Sequence, residues 1–160
     1  MTHNRHHRLA LAIALALATA SVAPVSLAQP AAVATDAASM LAHADALRQG
    51  HDGPPDLAGA RRWYEAAHQA GSTTATLRLA DMLAAGQGGS LEANRALAIL
   101  EPLSENGVAD AQLRVGKIMV QRLPGIRYNE FVASRNLDRA EAAGLVEALY
   151  WKSKLWAGDQ

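Results

Sequence analysis

The chain contains no cysteine. That excludes a disulfide framework and thiol catalysis, and it removes the residue a bacterial lipoprotein needs for its lipid anchor. Aromatic residues are scarce, at 4% of 160 positions with a single Phe. The chain is instead rich in Ala, which favours closely packed helices, because Ala has the highest helix propensity and lets helix axes approach. An excess of charge of either sign is also missing: 15 Lys and Arg face 15 Asp and Glu. Without a basic field to concentrate polyanions, nucleic acid is not expected as a partner. Catalytic patterns are absent as well, with no His-Glu-x-x-His, Gly-x-Ser-x-Gly, Ser-x-x-Lys or Walker loop. The expectation is a protein that is not an enzyme and carries no cofactor.

What is present begins with a segment unlike the rest. Arg5 and Arg8, with His3, His6 and His7, make a basic start, and Leu9 to Val25 is an apolar run rich in Leu and Ala. Ser26-Leu27-Ala28 then places small residues at the −3 and −1 positions before Gln29, the pattern of a secretory signal peptide over residues 1–28. An uncleaved anchor is the competing reading, but the run is short for a span and Pro24 interrupts its end. Cleavage after Ala28 implies a periplasmic or secreted protein with no stable membrane anchor. Residues 29–36 (QPAAVATD) read as a disordered leader.

From residue 37 onward a unit repeats. Gly71 recurs as Gly107 at a spacing of 36 residues, and the same shift carries Ala60 onto Ala96 and Ala75 onto Ala111. A fixed period of this length means stacked helix pairs. Apolar spacing, caps and glycines predict helices over 37–49, 57–70, 73–85, 91–106, 109–121, 130–143 and 145–157. Asp56 and Ser90 are the expected N-caps of the second and fourth. Pro102 falls inside the fourth, where it removes a backbone donor and predicts a kink near Ala98 to Glu101. Trp63 and Tyr64 occupy the large inner slots of the first copy, and Ile99 with Leu100 take them in the second. The third copy is looser, with one extra residue between Gly107 and Gly144. The last helix puts Lys152 at the slot of Leu79 and Val115, as suits an end that meets water.

The stretch GHDGPPDLAGARRWYEAAHQAG, followed by Ala75, Leu79 and Ala80, resembles the Sel1-like repeat, a relative of the tetratricopeptide repeat. Gly50, Gly53, Asp56, Leu57, Ala60, Trp63, Tyr64, Ala66, Ala67 and Gly71 carry the match. The second copy keeps Gly86, Gly88, Ala96 and Gly107, with Val115-Gly116 restoring an apolar-Gly pair, and the third keeps little beyond Ala140 and Gly144. The resemblance implies an all-α, right-handed α-solenoid of antiparallel helix pairs over residues 37–160, about three and a half units. It also implies a scaffold or adaptor that binds another protein or peptide. An inhibitor or immunity protein for an envelope-acting toxin is a narrower alternative. An enzyme acting on peptidoglycan or β-lactams is the contrasting class, weakened by the missing nucleophile, base and metal set and by the absence of the cysteines found in family members linked to β-lactams.

Candidate site residues follow from the stacking. Aligning the first helices of successive units puts Asp45, Asp81, Lys117 and Lys154 in one column and Ala42, Arg78, Arg114 and Trp151 in the next. Equivalent positions in stacked helix pairs line the inner curve, so Arg78, Asp81, Arg114, Lys117, Trp151 and Lys154 form the expected protein-binding groove, running from acidic to basic. The competing reading is an ordinary solvated face with ion pairs between neighbouring repeats, such as Asp81 with Arg114. Trp151 and Trp156 either seal the last turn or form an exposed apolar anchor. His43, His51 and His68 lack the one-turn spacing of a helical metal site. Asp52 and Asp56 together hint at calcium, but a capping Asp after a Gly-Pro turn explains them more simply.

Overall fold

In the computed structural model the described residues are 36–51 and 53–157; the expected signal peptide, all of the expected leader except Asp36, and Asp52 lie outside them. The described residues form seven helices and no strand: α1 (Ala37–Gln49), α2 (Leu57–Gln69), α3 (Thr73–Ala85), α4 (Ala93–Glu105), α5 (Ala109–Val120), α6 (Glu130–Ala142) and α7 (Glu147–Ala157). Each packs on the helix that follows it, and α5 also touches α3 and α7. The architecture is therefore an all-α stack in which every contact is made to a near neighbour in sequence.

Side-chain caps fix most helix starts. Asp36, Asp56, Ser72 and Asn129 accept the amides of Ser39, Gly59, Ala75 and Val132 at 2.8, 2.8, 3.2 and 3.1 Å. Asp36 thus belongs to the folded region rather than to a disordered leader. Ser90 does not cap α4. The amide of Glu92 is instead used to close the preceding loop on the carbonyl of Leu83 at 2.8 Å, so the helix begins at Ala93 and Glu92 occupies the cap position without a side-chain bond to the helix amides. Ser90 Oγ donates to the Glu92 carboxylate. α4 runs on through Pro102 to Glu105.

The repeat is visible in the backbone bonds. The turns after α2, α4 and α6 place Gly71, Gly107 and Gly144 at φ 88, 82 and 89°, a left-handed conformation that Cβ-bearing residues adopt at a cost. At each turn the glycine amide donates to the carbonyl three residues back: His68, Ser104 and Glu141. The next amide, of Ser72, Val108 or Leu145, donates five residues back, to Ala67, Leu103 or Ala140. The longer loops match in the first two units only: Asp56 N donates to Leu47 O, and Glu92 N to Leu83 O, at a shift of 36. The third loop has no equivalent bond. There Arg122, at φ 48°, stands where Gly50 and Gly86 stand at φ 72 and 66°.

Burial follows the same register. Tyr64, Leu100 and Leu137 form one fully buried column, flanked by Ala60 and Ala67, Ala96, and Ala133 and Ala140. Ala75, Leu79, Met82 and Leu83 are buried on α3, as are Ala111, Val115 and Ile118 on α5, while Met119 is half-buried. Trp63 is not a fully buried slot. Adjacent residues on a helix point 100° apart, so Tyr64 takes the core position and Trp63 lies half-buried at its edge, with its ring edge-on to His43 at 4.7 Å. Asn136, beside Leu137, is buried as a polar junction. It donates to Val132 O at 2.8 Å and its Oδ1 accepts from Ser104 Oγ at 2.6 Å, while Gln112 Nε2 reaches Ser104 O at 3.1 Å. α4, α5 and α6 are thereby tied at one buried point.

Drift between copies has a spatial consequence. Across the first interval Arg61 pairs with Glu92, and Arg95 with Glu65, strapping α2 to the start of α4. In the next copy Leu97 stands for Arg61 and Val132 for Arg95, so the straps are gone. An open slot of about 550 Å³ lies between α4 and α6, with Leu97, Val115, Met119 and Val132 among its walls.

Candidate interaction face

The six expected site residues lie on α3 (Arg78, Asp81), α5 (Arg114, Lys117) and α7 (Trp151, Lys154). A carboxylate on one helix meets a guanidinium on the next at two successive steps. Asp45 of α1 pairs with Arg78 of α3, and Asp81 of α3 pairs with Arg114 of α5, where Arg114 Nε lies 3.1 Å from both Asp81 oxygens. Arg114 also reaches Asp110 at 3.1 Å. Tyr64, fully buried, donates its hydroxyl to Asp45 Oδ1 at 2.5 Å, so the first rung is anchored in the core. Burial, and then the Asp45 hydrogen bond, hold the Tyr64 phenol above its usual range, while the same carboxylate raises the Arg78 guanidinium. Two of the four columnar cations are thus matched by neighbouring carboxylates.

The third and fourth cations are held differently. Lys117 Nζ is 3.9 Å from Glu147 and stands 5.4 Å from the centre of the Trp151 ring. Lys154 lies 5.6 Å over Tyr150. Trp151 is half-buried against the second core cluster, with its indole N–H donating to Glu147 Oε1 at 3.0 Å, whereas Trp156 is 68% exposed. The two tryptophans therefore divide the roles: Trp151 seals, and Trp156 projects. Lys152 sits toward α6, bridging Asp138 at 2.7 Å and Glu141 at 2.6 Å.

A cleft of about 550 Å³ opens on this side between the C-terminal halves of α1, α3 and α5. Its polar wall contains Arg48, Asp81, Arg114 and Lys117, and its apolar wall includes Leu91, Ile118 and Leu123. Arg48 is exposed and has no carboxylate at ion-pair distance among the described residues. Cations outnumber carboxylates in the wall, and only Arg114 is fully engaged. Sequence reasoning singled out Arg78, which the Asp45 pair occupies, and passed over Arg48. Arg48 stands one turn beyond Asp45 on α1, so carrying the acidic column one turn further would have found it.

The histidines are separated by their partners. His43 packs on Trp63, His51 Nε2 is 2.7 Å from Gln49 Oε1, and His68 Nδ1 is 2.7 Å from Thr76 Oγ1. Among the described residues no three His, Asp or Glu are grouped so as to hold a metal ion, and no helix is long and apolar enough to cross a membrane. The calcium hint involved Asp52, outside the described residues; Asp56 serves as the α2 cap.

Neither a protein-family model nor a curated protein matches this sequence. Among solved structures, the chain superimposes on the crystal structure of a Sel1 repeat protein from Oxalobacter formigenes with a TM-score of 0.60, over 83% of this chain and at 19% identity. The fold is that of the Sel1-like repeat. The match spans 62% of the length of the Oxalobacter formigenes chain. The Sel1-like stacking thus accounts for the Gly71, Gly107 and Gly144 turns and for the Tyr64, Leu100 and Leu137 column together.

Proposed function

We propose that this protein is an exported, non-enzymatic interaction module. Its α1/α3/α5 cleft grips a segment of another protein that carries an acidic side chain beside an apolar one. The observation that carries the reading is the composition of the cleft wall: Arg48 with no carboxylate at ion-pair distance among the described residues and Lys117 only loosely paired, next to exposed Leu91 and to Leu123. A carboxylate entering there would replace water around two cations already positioned on rigid helices, and the apolar wall would take its neighbour. Arg78 is occupied by Asp45 and Asp81 by Arg114, and Arg114 forms the floor of the charged wall. Export is supported by the pattern of residues 1–28, and a periplasmic or secreted location follows from it. N-terminal sequencing of the exported form is expected to begin at Gln29.

The function test is retention of a stoichiometric partner from an envelope extract by the immobilised chain, compared with an Arg48→Ala/Lys117→Ala variant. Loss of the partner from the variant supports the cleft. Equal retention removes the cleft from the account, and hydrolysis of nitrocefin or muropeptides by the purified chain would overturn the non-enzymatic reading.

A further inference from the structure

The last described helix presents a second surface, which borders the cleft only where Glu147 meets Lys117 and which does not rest on the reading given to the cleft. Val146, in the turn just before α7, and Leu149, Tyr150, Ser153, Trp156 and Ala157 of α7 are all exposed, and they recur at three- and four-residue steps along one face. The opposite face, with Ala148 and Leu155, is buried in the stack. Glu147 and Lys154, seven residues apart and of opposite sign, border the stripe on one side; Leu149 and Trp156, also seven apart, border it on the other.

That arrangement is self-complementary. Two copies of α7 laid antiparallel about a two-fold axis bring each flank against its own counterpart, because the two-fold preserves which side of the interface a flank lies on. With the axis near residues 151 and 152, Tyr150 faces Ser153 of the second copy and Val146 faces its Ala157, so a large residue meets a small one in each layer. Leu149 meets Trp156 on the apolar flank. On the polar flank Glu147 meets Lys154, twice by symmetry. A reversed charge at either position, or a large side chain at Ser153, would spoil the match, whereas the sequence present satisfies all four pairings at a single register. We infer that α7 is a homodimerisation helix and that its occupant is the α7 of a second copy of this chain.

The test is sedimentation equilibrium of the purified chain with three groups of variants. The wild type is expected to dimerise, and Leu149→Glu to be monomeric. Phe131→Glu, which changes an exposed residue of α6 outside the stripe, is expected to dimerise as the wild type does. Lys154→Glu and Glu147→Lys are each expected to weaken self-association about tenfold or more by facing like charges. Mixed in equal amounts, those two variants are expected to form a heterodimer as tight as the wild-type dimer, since both flanking pairs become opposite in sign. All of these side chains are exposed, and circular dichroism checks that each variant keeps its helix content. A monomeric wild type overturns the inference, as does a dimer that survives Leu149→Glu, or a mixture no tighter than its components.

Discussion

Gly116 decides how closely α5 and α6 approach, and replacing it with Ala opposes two effects of comparable size. Gly116 lies within α5, where Ala is preferred over Gly by about 1 kcal/mol on helix propensity alone. A Cβ built there would meet Leu137 Cγ and Cδ2 at 2.5 Å and Ala133 O at 3.4 Å. Leu137 is fully buried and flanked by Ala133 and Ala140, so it has no exposed space to move into. Overpacking of that kind costs about 1–3 kcal/mol. The expected net effect of Gly116→Ala is therefore a loss of about 1 kcal/mol. Urea denaturation reads this as a midpoint lowered by about 0.5 M for a slope near 2 kcal/mol/M. Leu137→Ala alone should cost about 2–5 kcal/mol through the cavity it leaves. In that background the added methyl has room, so Gly116→Ala should become neutral or stabilising, a coupling of about 1–2 kcal/mol between the two sites. A Gly116→Ala variant that is more stable than the wild type, or effects that simply add, would refute the close approach.

Other expectations follow from single contacts. Asp56→Ala removes the cap on Gly59 N and should cost about 1 kcal/mol in thermal or chemical unfolding, while Ser90→Ala, which caps nothing, should cost less. Arg114→Ala breaks a surface pair with Asp81 and should change stability by less than about 1 kcal/mol, so a larger loss would show the rung to be structural. Asp138 is held below the usual carboxylate range, chiefly by its bond to Lys152. A carboxyl lowered in the folded state stabilises above its unfolded pKa, and that contribution is lost as pH falls through the folded value. Lys152→Met should accordingly move the Asp138 titration seen by NMR back up, and should flatten the fall in stability on acidification below about pH 4. An Asp138 titration unmoved by Lys152→Met would separate the two residues.

Helix positions were legible in the sequence wherever a cap and a glycine bracket the apolar pattern. α1 and α3 run over the expected residues because Gly50 and Gly86 stop them, and Gly71 and Gly107 mark the turns after α2 and α4 at the expected spacing. The start of α4 was less legible, because Ser90 has the chemistry of a cap while the carbonyl of Leu83 claims the amide of Glu92, a contact between segments that local sequence does not encode. Trp63 and Tyr64 lie 100° apart, and it is Tyr64 that shares the four- and three-residue steps of buried Ala60 and Ala67, so only one of the two large slots is in the core. Charge columns could be placed by register, and the Asp81–Arg114 rung was one of the two readings they allowed. Which cations stayed without a carboxylate depended on side-chain reach across helices, so Arg48 was missed. The end of α5 lacked a glycine, and Arg122 takes up the left-handed position there.

The central claim is that a partner lies in the α1/α3/α5 cleft, and the most direct measurement is site-specific photocrosslinking in the envelope. A photoreactive residue placed at Leu91, in the cleft wall, is predicted to capture the partner. The same residue at Glu101, in the slot between α4 and α6, is predicted not to capture it. Capture at 101 without capture at 91 would contradict the account and move the binding surface to the other side of the stack.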